Sequence, residues 1–269
     1  MHVFVTGASG HVGSALVPEL LGRGHTVAGL ARSDAAAQRL AAWGAAPVRG
    51  DLDDLALLRA VAQSCDGVVH LAFRHDALLQ GDLDGAARSD LAALAALADG
   101  LEGTGKPLVG TSGTLMLVAA ALGRPGTETD TLPGGYRVDA ENYVVSLAAR
   151  GVRSSVVRLP PTVHSPLDFH GFVPSLIGFA RAHGFSAYVG DGANRWPAVH
   201  TLDAARLFRI ALESAPAGTR LHAVGDEGVA FRDIADGIGS GVGVPARSIA
   251  AEQAATYVGH LAGIVALDN

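Results

Sequence analysis

The sequence predicts an α/β protein: a doubly wound parallel sheet with helices on both faces, followed by a small C-terminal lobe. Three observations predict it. Short apolar runs alternate with longer amphipathic ones through residue 159. Glycines at 7, 10 and 13 punctuate the exit from the first run. After Leu159-Pro160-Pro161 the alternation breaks.

Taken in order, residues 2–6 read as a strand and 11–23 as a helix, with Val12, Leu16, Leu20 and Leu21 on one face and Pro18 as a kink site. A strand at 25–31, a helix at 34–43 and a strand at 47–49 follow. Residues 53–63 are helical behind Asp51, Asp53 and Asp54, a charge placement that suits a helix N-terminus. Residues 68–72 are a buried strand and 83–101 an alanine-rich helix. Then come a strand at 107–112, a helix at 138–150 and a strand at 155–159. The stretch 160–195 carries prolines, glycines, His164, Asp168, His170 and His183, and these histidines with His200 show no metal-ligand spacing. Residues 203–214 are an amphipathic helix with Asp203 as its expected cap, 219–224 a strand, and 231–241 and 251–263 helical. The expected division is 1–159 with 196–224 returning to it, against 160–195 and 225–269. The chain stops soon after Val265-Ala266-Leu267, which leaves room for a further terminal segment.

Composition narrows the function classes. The chain has 269 residues, 49% hydrophobic and 17% charged, enough to bury a large core. A net charge of -6 argues against a general nucleic-acid binder. No apolar run has the length of a membrane span, and the polar Thr6 and Gly7 come too early for a signal peptide. The lone Cys65 excludes an internal disulfide and fits a buried helix end. The cytoplasm is the expected compartment.

The stretch TGASGHVG at 6–13 carries the strongest functional signal. Gly-x-x-Gly-x-x-Gly between a strand and a helix suits a dinucleotide pyrophosphate. Gly7 permits the turn, Gly10 lets backbone N–H groups approach phosphate, and Gly13 lets the helix pack closely on the sheet. Ser9, His11 and Val12 complete this loop. The fold is then a Rossmann-type doubly wound sheet with a substrate-side lobe, and ligands of such sheets lie at the carboxyl ends of the strands. At the second strand end, Arg32 and Ser33 suit the 2′-phosphate of NADP, while Asp34 keeps NAD possible. At the third, Asp51 beside Leu52 suits the adenine amino group or the next helix cap. At the fourth, Leu71, Ala72 and Phe73 are small and apolar enough to lie along the adenosine.

With TGASGHVG, GDL at 50–52, HLAF at 70–73, TSG at 111–113, RLPPTV at 158–163 and RWPAVHTLDAARLFRIALE at 195–213, the chain resembles the short-chain dehydrogenase/reductase superfamily in its extended or atypical branch, the epimerase/dehydratase type. The resemblance spans essentially the whole chain. It implies a nicotinamide cofactor, with Leu159 and Pro160 of RLPPTV beside it, and a catalytic Ser/Thr, Tyr and Lys. The serine maps onto Ser112, with Thr114 nearby. The lysine position falls near Arg137 and the tyrosine position near Pro133, with Glu141 as an acidic residue one turn on. It also implies a homodimer through the helices at 83–101 and 138–150, and a substrate cleft bordered by Arg195 and Trp196, whose bland alternative is packing under the lobe.

The Tyr-x-x-x-Lys pair is absent: Lys106 is the only lysine, and Glu102 stands four residues before it. Arginine keeps the charge but does not deprotonate. Tyr136 is the candidate proton donor, with Asp139 and His164 behind it. The expected activity is an NADP(H)-dependent oxidoreductase acting on a small organic carbonyl, imine or enone. Two other readings stay open: a protein that senses NADP(H) without turnover, and a redox-neutral isomerase or lyase.

Overall fold

The run His2–Thr6 forms β1 because Val3, Phe4 and Val5 are apolar on both faces, and all three are fully buried. The computed structural model describes residues 1–75 and 81–269. Around β1 lie β2 (Thr26–Ala31), β3 (Ala46–Arg49), β4 (Gly67–His70), β5 (Pro107–Gly113), β6 (Arg153–Leu159) and β10 (Thr219–His222), in the order β10-β6-β5-β4-β1-β2-β3 of one parallel sheet. The remaining strands are β7 (Thr162–His164), β8 (Ser186–Val189), β9 (Arg195–His200), β11 (Asp226–Ala230) and β12 (Ala246–Ile249).

Alternation along the strands sends side chains to both faces. Phe4, Ala28, Val68 and Leu108 share one core with α3 (Leu55–Ser64), α4 (Leu83–Leu101) and α5 (Val138–Ser146). The other face is covered by α1 (His11–Gly22), which packs on α7 (Thr201–Ser214). Helix α2 (Asp34–Ala42) links β2 to β3. Pro18 lies inside α1 without ending it. Cys65 closes α3, fully buried, and burial pushes its thiol up.

The chain divides into two compact units. The first holds residues 1–113, 128–158 and 201–223; the second holds 114–127, 159–200 and 224–269. Two boundaries differ from the sequence expectation by more than a single residue. Residues 196–200 belong to the second unit, because β9 pairs with β7 and β11 rather than with the large sheet. Residues 114–127 also leave the first unit, beginning with a 3-10 turn at Thr114–Ala120. The second unit has its own core, centred on Trp196, Phe231, Leu176 and Val258. It contains α6 (Phe172–His183), hidden in the sequence by Pro174 and Gly178. Pro174 sits in the first turn, where no N–H is needed, and the Asp168 carboxylate accepts from the Gly171 N–H at 2.8 Å. Helix α8 (Phe231–Val242) matches its expected span, but 251–263 breaks into short turns around α9 (Ala254–Val258), with Gly259 left-handed behind it.

Two side-chain readings change. Asp203 does not cap α7: β9 runs straight into the helix at Thr201, and Asp203 pairs with Arg206 one turn on, at 3.0 Å. Trp196 is fully buried, edge-on to Phe231 at 4.9 Å, so the packing alternative holds and the stacking one falls. Arg195 is paired with Asp268 at 3.2 Å.

Candidate active site

Gly7 and Gly13 each have a steric reason. Gly7 sits at φ +65°, and a Cβ there would stand 2.7 Å from the Ala72 nitrogen. A Cβ on Gly13 would stand 2.3 Å from the Gly7 carbonyl oxygen and 2.6 Å from that of Ala8. Gly10 is the N-cap of α1, and no side chain caps that helix end. The positive end of the α1 dipole therefore meets a loop of backbone at the carboxyl edge of the sheet. The Ser9 carbonyl accepts from Arg39 at 3.2 Å. His11 lies 2.8 Å from the Thr201 hydroxyl, tying the loop to α7, and Val12 is half-buried in the first turn of α1.

At the end of β2, Arg32 is exposed, and the Ser33 hydroxyl accepts from the Ala36 N–H at 3.2 Å, capping α2. Asp34 is paired with Arg49 at 3.1 Å. After β3, Asp51 lies 3.9 Å from Arg74, which also pairs with Asp53. The α3 cap position is Asp54 rather than Asp51, and Leu52 is buried. Leu71, Ala72 and Phe73 follow β4, and the Ala72 N–H donates to the Thr6 hydroxyl at 3.3 Å.

That hydroxyl begins a polar chain. Thr6 meets His70 Nδ1 at 2.9 Å, and His70 Nε2 meets Asp90 at 3.0 Å. The second Asp90 oxygen accepts from Arg137 at 3.1 Å, and Arg137 donates again to the Thr111 carbonyl at 3.0 Å. One proton assignment satisfies every member: Thr6 donates to Nδ1, and Nε2–H donates to Asp90. Burial pushes the Asp90 carboxyl up, but His70 and Arg137 outweigh it and hold the group below its ordinary value. Arg137 has φ +65°, and its guanidinium lies 4.2 Å from the centre of the Phe73 ring. Tyr136 is exposed and stands edge-on to Phe73; burial of its phenol pushes it up, with Arg137 opposing.

Ser112 belongs to a second cluster. Its hydroxyl donates to Glu141 at 2.6 Å. Glu141 also receives Arg158 at 2.5 and 3.0 Å and Arg220 at 2.7 Å. Burial would raise this carboxyl, but Arg158, Ser112 and Arg220 together keep it low and ionised. An ionised carboxylate only accepts, so the Ser112 proton points at Glu141 and its hydroxyl has lone pairs alone to offer elsewhere. Arg158 and Asn142 also hold the Asp130 and Leu132 carbonyls, anchoring the approach to Tyr136.

The first unit thus gathers the glycine loop, Arg32, Ser33, Asp51, Leu52, Leu71, Ala72, Phe73, Ser112, Tyr136 and Arg137 at the carboxyl ends of its strands. Thr114, Leu159 and Pro160 fall in the second unit. Thr114 is committed to Asn269, donating at 2.7 Å and accepting through its carbonyl at 3.1 Å. Asp139 accepts from the Gly135 N–H, and His164 stands edge-on to His200.

The sequence reading missed His70, Asp90, Arg220 and Arg39. Asp90 had a signal: it shares the buried stripe Ala86, Ala93, Leu97 of α4, where a carboxylate needs a partner.

Fold and site together define an α/β protein of the Rossmann type. A family model described as the NAD dependent epimerase/dehydratase family matches residues 3–224, and the chain belongs to that family. It is 43% identical, over its whole length and 90% of the relative, to an uncharacterized protein of Schizosaccharomyces pombe. It is 30% identical, over 81% of its length and 66% of the relative, to a 4-hydroxy-2-methyl-3-oxo-4-farnesyl-3,4-dihydroquinoline-1-oxide ketoreductase of Stigmatella aurantiaca. Among solved structures, it resembles a nucleoside-diphosphate-sugar epimerase from Pseudomonas aeruginosa with a TM-score of 0.77 at 18% identity, covering all of this chain and 87% of that one.

Proposed function

We propose that the protein is an NADP(H)-dependent oxidoreductase acting on a small organic carbonyl, imine or enone. The observation that carries this is the loop at Gly7–Gly13, where a Cβ at Gly7 or Gly13 would strike backbone. A cradle built from bare backbone under a helix N-terminus fits a pyrophosphate. Arg32 at the end of β2, and Arg39 reaching the Ser9 carbonyl, add cations where a 2′-phosphate would lie. Asp34, the carboxylate that would favour NAD, is engaged by Arg49. When bound, the cofactor supplies or accepts a hydride.

The chain's own residues then divide the remaining work. Arg137 is a fixed cation that stabilises developing negative charge without moving a proton. Tyr136 is the phenol beside it and the proton donor in this reading. Ser112 offers only lone pairs, since its own proton is held by Glu141, so it accepts from the hydroxyl of an alcohol product or the N–H of a protonated imine and does not donate to a substrate carbonyl. A ketoreductase among the relatives supports reduction as the chemistry.

Calorimetric titration with NADPH and NADH tests the reading. The expected result is NADPH binding at least ten times tighter than NADH, with the difference removed in Arg32→Ala. Equal binding of both, or of neither, sinks it. The committed Ser112 hydroxyl favours one alternative, a sensor of the NADP/NADPH ratio. That alternative predicts tight cofactor binding with no NADPH consumed across a broad carbonyl, imine and enone panel.

A further inference from the structure

The β2–β3 ladder sets Arg49 opposite Ala31, and the Gly50 N–H extends it by donating to the Ala31 carbonyl at 3.3 Å. Arg49 therefore stands beside the turn in which β2 passes into α2. Across that turn its guanidinium meets Oδ1 of Asp34, the first residue of α2, at 3.1 Å. All of these residues lie in the first unit.

The charges at this strand end are few. Arg32 opens the turn, and Arg39 reaches back from the last turn of α2 to the Ser9 carbonyl at 3.2 Å. The Ser33 hydroxyl accepts from the Ala36 N–H, so its own proton is left to donate. The carboxylates beyond β3 have other partners: Asp51 and Asp53 face Arg74, and Asp54 accepts from the Asp51 N–H at 2.7 Å. Asp34 is then the carboxylate that bears on a nucleotide at the end of β2. A carboxylate there has two opposite effects. It accepts from the ribose hydroxyls of NADH, and it repels the 2′-phosphate of NADPH. Arg49 occupies one of its oxygens and cancels its charge.

We infer that Arg49 is a specificity-determining residue, which tips the site from NADH toward NADPH by neutralising Asp34. It acts through Asp34 and not by touching the phosphate. This deepens the proposed function and rests on it for the presence of a nucleotide at this strand end. The two side chains are 51% and 90% exposed, so the pair is a surface one and its effect is several-fold.

Calorimetric titration of NADPH and NADH into the wild type, Arg49→Ala, Asp34→Asn and the double variant tests it. Arg49→Ala is expected to lower the NADPH-to-NADH affinity ratio about two- to five-fold. The double variant is expected to bind NADPH as the wild type does, because no carboxylate remains to be neutralised. Urea midpoints should agree across all four proteins, as for other exposed pairs. An unchanged ratio in Arg49→Ala overturns the assignment while leaving a wild-type preference for NADPH intact. A double variant as weak for NADPH as Arg49→Ala also overturns it, since Arg49 would then be a direct phosphate ligand. Equal wild-type binding of both nucleotides, with a ratio that still falls in Arg49→Ala, sinks the NADP(H) reading and keeps this one. Binding of neither nucleotide removes both.

Discussion

Gly13 and Arg137 represent two kinds of residue that sequence treats differently. Gly13 was legible from spacing, because only a residue without a side chain lets α1 start against the loop that precedes it. In Gly13→Ala the new Cβ would meet two backbone oxygens at 2.3 and 2.6 Å. Backbone does not rotate away as a side chain does, so the loop must shift. The expected cost is about 1–3 kcal/mol in urea unfolding, as for other overpacked sites, with NADPH affinity lost. Unchanged affinity would mean that the glycines only turn the chain. Arg137 was legible as a position but not as a structure. Its partner Asp90, and His70 on the far side of that carboxylate, lie 47 and 67 residues away in sequence, and only the fold brings them together. Arg137→Met leaves the buried Asp90 charge half-compensated. Removing one partner of a buried pair costs about 3–5 kcal/mol. Arg137→Lys should recover part of that stability, since it restores charge but cannot reach both Asp90 and the Thr111 carbonyl. If Arg137→Met unfolds at the wild-type urea concentration, the polar chain contributes nothing to the fold.

Between elements, Glu141 joins α5 to β6 and β10 through Arg158 and Arg220, and to β5 through Ser112. The element order and most boundaries were readable from periodicity. This junction was not, because it depends on which strands become neighbours. The same limit explains β9: its apolar alternation identifies a strand, while its hydrogen-bond partners decide which unit it joins. The junction makes a pH prediction. Asp90 and Glu141 are held below their ordinary values of 3.8 and 4.5, so the stability they supply is present above those values and lost as pH falls through the lowered ones. His222 meets Arg158 at 3.2 Å, and burial holds its pKa below the ordinary 6.5. The unfolded chain then takes up a proton near 6.5 that the folded chain refuses, so stability falls as pH drops below that value, before the carboxylates titrate. His222→Gln keeps an acceptor for Arg158 and removes the proton uptake. Urea midpoints at pH 7, 6 and 5 should decline in the wild type and decline less in this variant. Parallel curves would assign the loss elsewhere.

For the whole molecule, the sheet order β10-β6-β5-β4-β1-β2-β3 places the glycine loop, Arg32 and the Arg137 chain at strand ends that lie far apart in sequence. A cofactor contacting several of these ends would be felt by the entire first unit, because that unit shares one core from Phe4 to Val156. Binding to the folded state alone stabilises it by about 2.7 kcal/mol when the ligand stands at a hundred times its Kd. A domain of 150–250 residues gains roughly 2–4 °C in Tm for each kcal/mol, so the expected rise is about 5–10 °C. Scanning calorimetry with NADPH at that excess should show it. The same concentration of NADH should give a smaller rise, and the NADPH shift should shrink toward the NADH value in Arg32→Ala. In Gly13→Ala neither nucleotide should move the transition, because that substitution acts on the loop common to both. A rise with NADPH that survives Gly13→Ala would place the nucleotide outside the loop and remove the basis of the proposed function.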